Sequence, residues 1–197
     1  TEPVPGFDNR PVYQPRGKVV GGSGSINAMV YARGHASDFD GWQAMGNPGW
    51  GWADVLDCYR RMEDHDLGTS AWHGAGGPLH ISEISREVHP LTHTFVEAAG
   101  ETGLPFSDDL NGAQFEGVGY YQINTGNGFR MSSSRAWLWP AMRDGQIEVA
   151  TKAEVTRIVF HGRRAVGVEY RRRGRTHLAR AAAEVIVSAG AFNTPKL

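Results

Sequence analysis

Hydrophobic residues recur at helical spacing in the stretch that follows a tryptophan-rich loop. Val55, Leu56, Tyr59 and Met62 predict an amphipathic helix over residues 52–62. Four acidic residues lie within this helix or just after it, and we expect them to be solvated rather than catalytic because a polar face normally points to water. They are Asp57, Glu63, Asp64 and Asp66.

A second helical pattern covers residues 90–102. Leu91, Phe95 and Val96 share one face, and Gly103 provides a stop signal. A third helix is predicted after Ser132–Ser134, because serine side chains are good helix N-caps. Residues 34–42, in contrast, are predicted to form a loop with aromatic anchors.

The remaining apolar runs are short and predict strands. They cover residues 79–82, 117–124, 147–150, 155–160, 165–170 and 177–180. The last four of these runs predict an antiparallel meander, with glycine turns at 161–163 and 173–175. Residues 184–188 form a continuous apolar run, which is typical of a strand buried on both faces of a parallel sheet, and a glycine turn and a helix start are predicted to follow it.

The chemistry in this pattern begins with a glycine- and serine-rich run at residues 21–25, entered by an apolar pair. Glycine lets consecutive backbone N–H groups turn toward an anion, so this run is a candidate phosphate cradle with a helix-permissive segment after it. An ordinary surface loop is the alternative. Lys18 precedes the glycines instead of following them, which excludes the phosphate loop of nucleotide hydrolases, and no serine stands in a nucleophile elbow.

Charge and composition exclude several other classes. A net charge of -1 gives no general attraction to nucleic acid or anionic membranes, and the basic run at 171–175 is interpreted as an exposed hairpin tip. The single cysteine, Cys58, excludes an internal disulfide. His89 and His93 are four residues apart but lack the adjacent glutamate of a zinc protease, so no metal site is predicted. No apolar run is long enough to predict a transmembrane segment.

Several spaced motifs resemble the glucose-methanol-choline (GMC) oxidoreductases, which are FAD enzymes that oxidise alcohols. Residues 17–34, GKVVGGSGSINAMVYARG, resemble the first family signature. Further matches are the motifs DFD at 38–40 with Trp42, GNPGW at 46–50, HG at 73–74 with GGP at 76–78, and Arg130 with residues 132–138. Residues 188–197 look like the opening of the second signature. The branch that looks most similar is that of choline dehydrogenases and bacterial alcohol dehydrogenases.

The resemblance implies roles for ten positions. Gly21, Gly22 and Ser23 would lie along the FAD diphosphate, and Asn27, Ala28, Met29 and Val30 beside the flavin ring. Val155 would hold the adenine by its backbone, and Ala189 and Gly190 would approach the adenosine. Some relatives have at the place of Ile26 a histidine that bonds covalently to the flavin, so the resemblance implies noncovalent FAD here.

The resemblance also implies a mixed α+β or α/β fold that combines part of an FAD-binding domain with part of a substrate domain containing an antiparallel sheet and helices. We expect FAD-domain parts at residues 1–45 and 146–197 and a substrate-domain part at 46–145. The dinucleotide turn and the catalytic histidine of the family would lie outside this sequence, so no catalytic residue is assigned, and the chain is interpreted as an internal fragment of a longer protein.

The implied partners are a small alcohol and an electron acceptor of the parent protein. We expect the fragment alone to be inactive, to bind FAD weakly or not at all, and to be able to self-associate through uncovered sheet edges. The family branch suggests a cytoplasmic location or one peripheral to the inner membrane. The alternative function is a noncatalytic interaction module that has kept the scaffold without its chemistry.

Overall fold

A computed structural model describes residues 2–197 and divides the chain into two compact units. The first extends to Ile147, and the second runs from Glu148 to Leu197. Each contains both helices and strands, so the predicted mixed α and β class is confirmed. The predicted domain limits at 45 and 145 remain predictions.

The first unit is built from short strands that pair two by two. In chain order they are β1 (Pro3–Val4), β2 (Arg10–Pro11), β3 (Val30–Tyr31), β4 (Glu63–His65), β5 (Leu79–Ile81), β6 (Gln122–Ile123), β7 (Thr125–Gly126) and β8 (Phe129–Arg130). β3 pairs with β6 antiparallel, β4 pairs with β5 parallel, and β7 and β8 form a hairpin. Two-residue strands are too short to form a stable sheet alone, so side-chain packing and polar contacts must hold them.

Four α-helices surround these strands: α1 (Ala36–Ala44), α2 (Trp52–Met62), α3 (Pro90–Glu101) and α4 (Trp139–Arg143). Helix α2 has the predicted bounds, and α3 ends one residue before the predicted end. The predicted loop at 34–42 is wrong because α1 begins there. His35 caps α1: its ring accepts from the Ser37 N–H, and the Asp38 carboxylate accepts from the His35 N–H.

The helix predicted after Ser132–Ser134 exists but begins differently. It opens as a π-helix, Ser134–Leu138, that continues directly into α4, and Pro140 lies in the first turn of α4, where its missing N–H is tolerated. No serine side chain caps it, since the hydroxyls of Ser132 and Ser134 lie 2.8 Å apart and bond to each other. The buried apolar core beside it consists of Tyr31, Leu79, Ile81 and Ala136.

The second unit contains the predicted antiparallel meander. Its strands β9 (Glu154–His161), β10 (Arg164–Arg172) and β11 (Arg175–Arg180) pair in the order β11-β10-β9, and helix α5 (Gly190–Lys196) follows. Two strand predictions are wrong, those at 147–150 and 184–188, because neither segment pairs with a strand among residues 2–197. Ile186 is 79% exposed, since a parallel strand needs neighbours that the three-stranded sheet does not supply.

Candidate functional site

The glycine run forms a tight turn with an open backbone. Residues Gly22–Ser25 form a short 3-10 helix that continues into β3 through a loop, so the helix-permissive segment expected after the run is a strand instead. Gly21 and Gly22 have φ angles of +92° and +58°, in the left-handed region that glycine adopts readily. A Cβ atom built on Gly22 would meet no atom within 4 Å. The space beside Gly22 is therefore open to a ligand, although the Gly22 N–H itself donates to the Val19 carbonyl at 2.9 Å.

The two serine hydroxyls of the run have different partners. The Ser23 hydroxyl oxygen accepts from the Gly17 N–H at 3.2 Å and keeps its own hydrogen to donate. The Ser25 hydroxyl donates to the Val20 carbonyl at 3.0 Å, so its hydrogen is used inside the loop. Of the two hydroxyls, Ser23 is the one that fits an anion bound along the run.

The segment Asn27–Val30 is fixed in place although most of it is exposed. Met29 has a φ of +65°, a left-handed conformation that costs a non-glycine residue about 1–3 kcal/mol. Such a conformation persists only where its surroundings impose it. The Asn27 carboxamide oxygen supports that turn, because it accepts from the Met29 N–H at 3.1 Å and from the Arg130 guanidinium at 2.6 Å. Val30 then pairs with Ile123 of β6.

An opening of about 550 Å³ lies beside the glycine run. It is lined mainly by apolar groups of the π-helix and α4, including Trp137 and Pro140, and by Gly21. Only glycine permits this approach of loop and helix, since a Cβ on Gly21 would lie 2.3 Å from the Ser25 hydroxyl and 2.7 Å from the Ser134 hydroxyl. Gly21 belongs to the run and also lines the opening, so the opening adjoins the candidate site.

A buried network of charged side chains anchors the strand that leaves this loop. Glu63 is 0% exposed, and its carboxylate accepts from the Tyr31 hydroxyl, the Arg33 guanidinium and the His73 ring. The second ring nitrogen of His73 lies 2.9 Å from the Asp109 carboxylate. These residues come from β3 and the segment after it, the start of β4 and two later loops, so the network joins four parts of the first unit.

The network is electrically balanced when His73 is a cation. Both of its ring nitrogens face carboxylate oxygens, at 3.0 Å to Glu63 and 2.9 Å to Asp109, and only a doubly protonated ring donates to both. Burial lowers the pKa of His73, but the hydrogen bonds to Asp109 and Glu63 outweigh it and raise that pKa above its ordinary value. With His73 protonated, two cations, Arg33 and His73, face the two anions, and the Arg33 guanidinium also lies 3.2 Å from the His73 Nδ1.

The pKa values of the carboxylates are consistent with this charge state. Burial raises the pKa of Glu63, but the hydrogen bonds from His73, Tyr31 and Arg33 outweigh burial and lower it to about 2. Burial raises the pKa of Asp109 as well, but the hydrogen bond from His73, the charge of His73 and the Asn111 N–H together outweigh burial, so the net shift is downward. Burial and the Glu63 charge together raise the pKa of Tyr31, which therefore stays a neutral donor.

A second histidine, His65, stacks on His73 with ring centroids 3.9 Å apart. Burial and the positive charge of His73 lower the pKa of His65 to about 4, so its ring is neutral at pH 7. Its Nδ1 accepts from the Leu67 N–H at 3.1 Å. One ring of the stacked pair is charged and the other is neutral, which avoids like-charge repulsion between them.

Amide side chains extend the network to the backbone of β3. The Asn111 carboxamide accepts from the Arg33 N–H at 2.8 Å and donates to the Tyr31 carbonyl at 2.9 Å and to the Gln122 side chain at 2.9 Å. Strand β3 is thus held through both its side chains and its main chain. Among residues 2–197, no group of His, Cys, Asp or Glu side chains is suited to hold a metal ion.

Sequence reasoning missed this network. Glu63 was expected to be solvated, and that expectation is wrong because the residue is fully buried. A usable signal was present: Leu56, Tyr59 and Glu63 are spaced i, i+3, i+7, which places the carboxylate on the apolar side of α2. The other three acidic residues of that group are exposed or half-buried, as predicted.

The other predicted positions lie in the second unit. Val155 is on β9, the edge strand of the three-stranded sheet, so one side of its backbone has no strand partner among the described residues. Ala189 precedes helix α5 as its N-cap, and Gly190 opens the helix with a φ of +85°. Their assignment to the adenine and the adenosine remains a prediction, as does the assignment of Gly21–Val30 to the diphosphate and the flavin.

Comparisons with known proteins agree with one another. The sequence profile of the family described as GMC oxidoreductase matches residues 4–197. Mitochondrial choline dehydrogenase of Mus musculus is 44% identical over all 197 residues, which cover 33% of that relative. Oxygen-dependent choline dehydrogenase of Sinorhizobium medicae is 46% identical, also over the whole chain, which covers 36% of it.

Solved structures give the same result. Pyridoxine 4-oxidase from Mesorbium loti aligns with a TM-score of 0.91 at 35% identity, covering 99% of this chain and 38% of that one. An FAD-dependent oxidoreductase from Chaetomium thermophilum aligns with a TM-score of 0.91 at 29% identity, covering 100% of this chain and 36% of that one. The chain therefore spans about a third of the length of the relatives that it matches, and it belongs to the GMC oxidoreductase family.

Proposed function

We propose that this chain is the flavin-cradle segment of an FAD-dependent oxidoreductase that oxidises the CH–OH group of a choline-like or other primary alcohol. The match of the family profile over residues 4–197, with choline dehydrogenases among the similar relatives, carries the proposal. Because the chain spans about a third of those relatives, the activity is proposed for the whole protein, and no residue present here is assigned to the chemical step.

The glycine run fits a bound diphosphate. Gly22 leaves open space in a left-handed conformation while its N–H donates to the Val19 carbonyl, and the Ser23 hydroxyl has a hydrogen to donate. Phosphates bind well to such loops because their oxygens accept several backbone and hydroxyl hydrogen bonds at once. In the proposed function, Gly21, Gly22 and Ser23 hold the diphosphate of FAD.

The segment Asn27–Val30 fits the edge of a flat ring. Its side chains are mostly exposed, while Arg130 and β6 fix its backbone, so a ring could lie against it without reordering the loop. FAD, when bound, supplies the hydride acceptor for alcohol oxidation. The role of this chain is to hold and orient that ring, with β3 and the buried charge network as the rigid support.

Ile26 bears on how the cofactor is attached. Its side chain is 49% exposed beside the proposed flavin segment, and an aliphatic side chain has no nucleophilic atom with which to form a covalent bond. The proposal therefore includes noncovalent FAD.

The test uses the complete protein, purified and saturated with FAD. We expect a flavin absorbance spectrum, release of intact FAD after acid precipitation, and dye-linked turnover of choline or another primary alcohol. A protein that takes up no FAD would overturn the proposal and favour a noncatalytic module. Flavin that stays with the precipitate would contradict noncovalent binding alone.

A paired substitution tests the cradle itself. Gly22→Ala adds only a methyl group in open space but forces alanine into a left-handed conformation at a cost of about 1–2 kcal/mol. Gly24→Ala is the matched control, because Gly24 also has open space around it but no positive φ. We expect Gly22→Ala to weaken FAD binding by about tenfold and Gly24→Ala to weaken it less. Equal effects would contradict the assignment of Gly22.

A further inference from the structure

The second unit carries an excess of positive charge that its fold does not use. Residues 148–197 contain ten Lys and Arg and four Asp and Glu, which gives a net charge of +6 in a chain whose total is -1. Seven of the arginines lie between residues 163 and 180. The strands β9–β11 and their turns therefore form a strongly basic surface.

Some of these arginines have partners within the sheet. Arg171 pairs with Glu154 at 3.2 Å, Arg157 pairs with Glu169 at 2.9 Å, and Arg164 donates to the Ala182 carbonyl at 2.9 Å. Across the described chain, no carboxylate pairs with Arg172, Arg173 or Arg175 at the tip of the β10–β11 hairpin. The tip is the part of the basic surface whose charge is uncompensated.

The tip brings these groups together on one face. Arg172 and Arg175 are direct cross-strand partners, and Tyr170 and His177 are the next pair on the same side, since side chains alternate along a strand. The rings of Tyr170 and His177 stack with centroids 5.1 Å apart and an interplanar angle of 18°, which fixes the imidazole beside the arginines. Arg172, Arg173, Arg175 and His177 line one open depression of about 510 Å³.

This arrangement is unfavourable for the hairpin alone. Like charges directly opposite each other on paired strands are destabilising. The turn adds a second cost, because Arg173 has a φ of +51° and Gly174 a φ of +74°. Two consecutive positive φ angles are typical of a type I′ turn, in which Asn or Asp is normally preferred at the place that Arg173 occupies. Two local costs at one exposed position suggest that the arginines serve a bound ligand.

From this geometry we propose that the hairpin tip is an anion-binding site for a phosphate group, contacted by Arg172, Arg175 and His177 with Arg173 at its rim. Guanidinium groups present two parallel N–H donors that match phosphate oxygens, and a phosphate dianion neutralises two of the crowded cations. The phosphate belongs either to an anionic lipid headgroup or to a small soluble ligand. A nucleic-acid duplex fits less well, because binding one takes many phosphate contacts, and this cluster is confined to one turn.

The test uses the complete protein saturated with FAD, so that the proposed diphosphate cradle is filled. Inorganic pyrophosphate is titrated by calorimetry, and cosedimentation is measured with phosphatidylcholine vesicles that contain or lack phosphatidic acid. We expect binding of at least one phosphate probe and none to neutral vesicles. Binding of vesicles alone identifies a lipid headgroup, and binding of pyrophosphate identifies a soluble ligand. Binding of neither overturns the proposal, as does binding of duplex nucleic acid alone.

Three variants locate the site. Arg172→Gln with Arg175→Gln should weaken binding by about tenfold or more, because two charge-assisted contacts are lost. Arg163→Gln with Arg180→Gln removes the same charge at exposed positions at the other end of the sheet and should have little effect. Equal losses in both pairs would mean attraction to general positive charge and would overturn the site.

The third variant separates binding from folding. Arg173→Asn removes a charge and places a preferred residue in the turn, so it should raise stability while weakening phosphate binding. If the variant is more stable and binds phosphate as well as the unmodified protein does, Arg173 is not part of the site. Retained affinity in both Arg173→Asn and the Arg172/Arg175 pair overturns the proposal.

Discussion

Replacing Glu63 by glutamine tests whether the buried network holds the first unit together. The carboxylate has two oxygens, and each faces two donors: one faces the Tyr31 hydroxyl and Arg33, and the other faces His73 and the Gly74 N–H. A glutamine side chain keeps the shape but places an NH₂ group at one of these positions. Whichever way the amide turns, its NH₂ group faces at least one group that can only donate, because on the Tyr31 side the hydroxyl can turn to accept but the Arg33 guanidinium cannot.

The magnitude follows from these contacts. Each lost hydrogen bond to a charged group costs about 1.5–3 kcal/mol, and at least one is lost together with the negative charge. Removing one partner of a buried ion pair generally costs about 3–5 kcal/mol, which is consistent with this range. Arg33 and His73 also become two buried cations with Asp109 as their one counter-ion. We expect Glu63→Gln to lower the free energy of unfolding by about 3–5 kcal/mol, which is a fall in Tm of roughly 6–20 °C for a chain of this size.

The assay is urea and thermal unfolding followed by tryptophan fluorescence and circular dichroism. Asp57→Asn is the matched control, because it removes one carboxylate from an exposed pair with Arg61 on the same helix. That pair should contribute no more than about 0.5 kcal/mol. A loss below about 1 kcal/mol in Glu63→Gln, similar to the control, would refute the view that Glu63 is the centre of the network.

Two further predictions follow from the same structure. Burial and the charge of His73 lower the pKa of His65 to about 4, so the unfolded chain takes up the His65 proton first as the pH falls. The free energy of unfolding should therefore fall by at most about 3 kcal/mol between about pH 6.5 and 4 because of this residue. His65→Asn keeps an acceptor for the Leu67 N–H and should remove this pH dependence, and an unchanged dependence would contradict the assignment. Ile186 lies in an exposed apolar segment without a strand partner among residues 2–197. Ile186→Lys should therefore reduce the concentration-dependent self-association of the 197-residue chain, measured by sedimentation velocity. The control Met45→Lys, at an exposed position beside a helix end, should not reduce it.

The sequence predicted elements well where the information is local. The apolar residues that predict α2 are close together in the sequence, and so are the residues of each glycine turn in the meander. Both predictions are confirmed. Helix α1 was missed because its start depends on a histidine acting as the cap, which residue preferences do not favour. The strand expected at 184–188 was wrong because its partners would have to come from distant sequence, which the local pattern cannot reveal.

The candidate site shows the same division. The glycines and the exposed segment beside them were recognised from one continuous motif. The network under β3 joins residues up to 80 positions apart, such as Tyr31 and Asn111, and no single stretch of sequence announces it. Its members also belong to residue types that are usually exposed, so single-sequence reasoning assigns them to the surface. Only the geometry shows that their charges compensate one another.

The chain thus contains two groups of charges that should respond differently to salt. In the network, Arg33, His73 and Glu63 are buried, Asp109 is half-buried, and all four are paired, whereas the hairpin tip carries three arginines that are exposed or half-buried and have no carboxylate partner among the described residues. Screening acts strongly on exposed charges and weakly on buried pairs, with a Debye length that falls from about 10 Å at 0.1 M to about 3 Å at 1 M ionic strength.

Raising sodium chloride over that range should abolish phosphate binding at the tip. The stability difference between the unmodified protein and Glu63→Gln should stay within about 1 kcal/mol of its low-salt value, because the pair it breaks is shielded from solvent. If salt removed that difference, the network would have to be open to water, and its balanced charges could not be what fixes β3 beneath the glycine run.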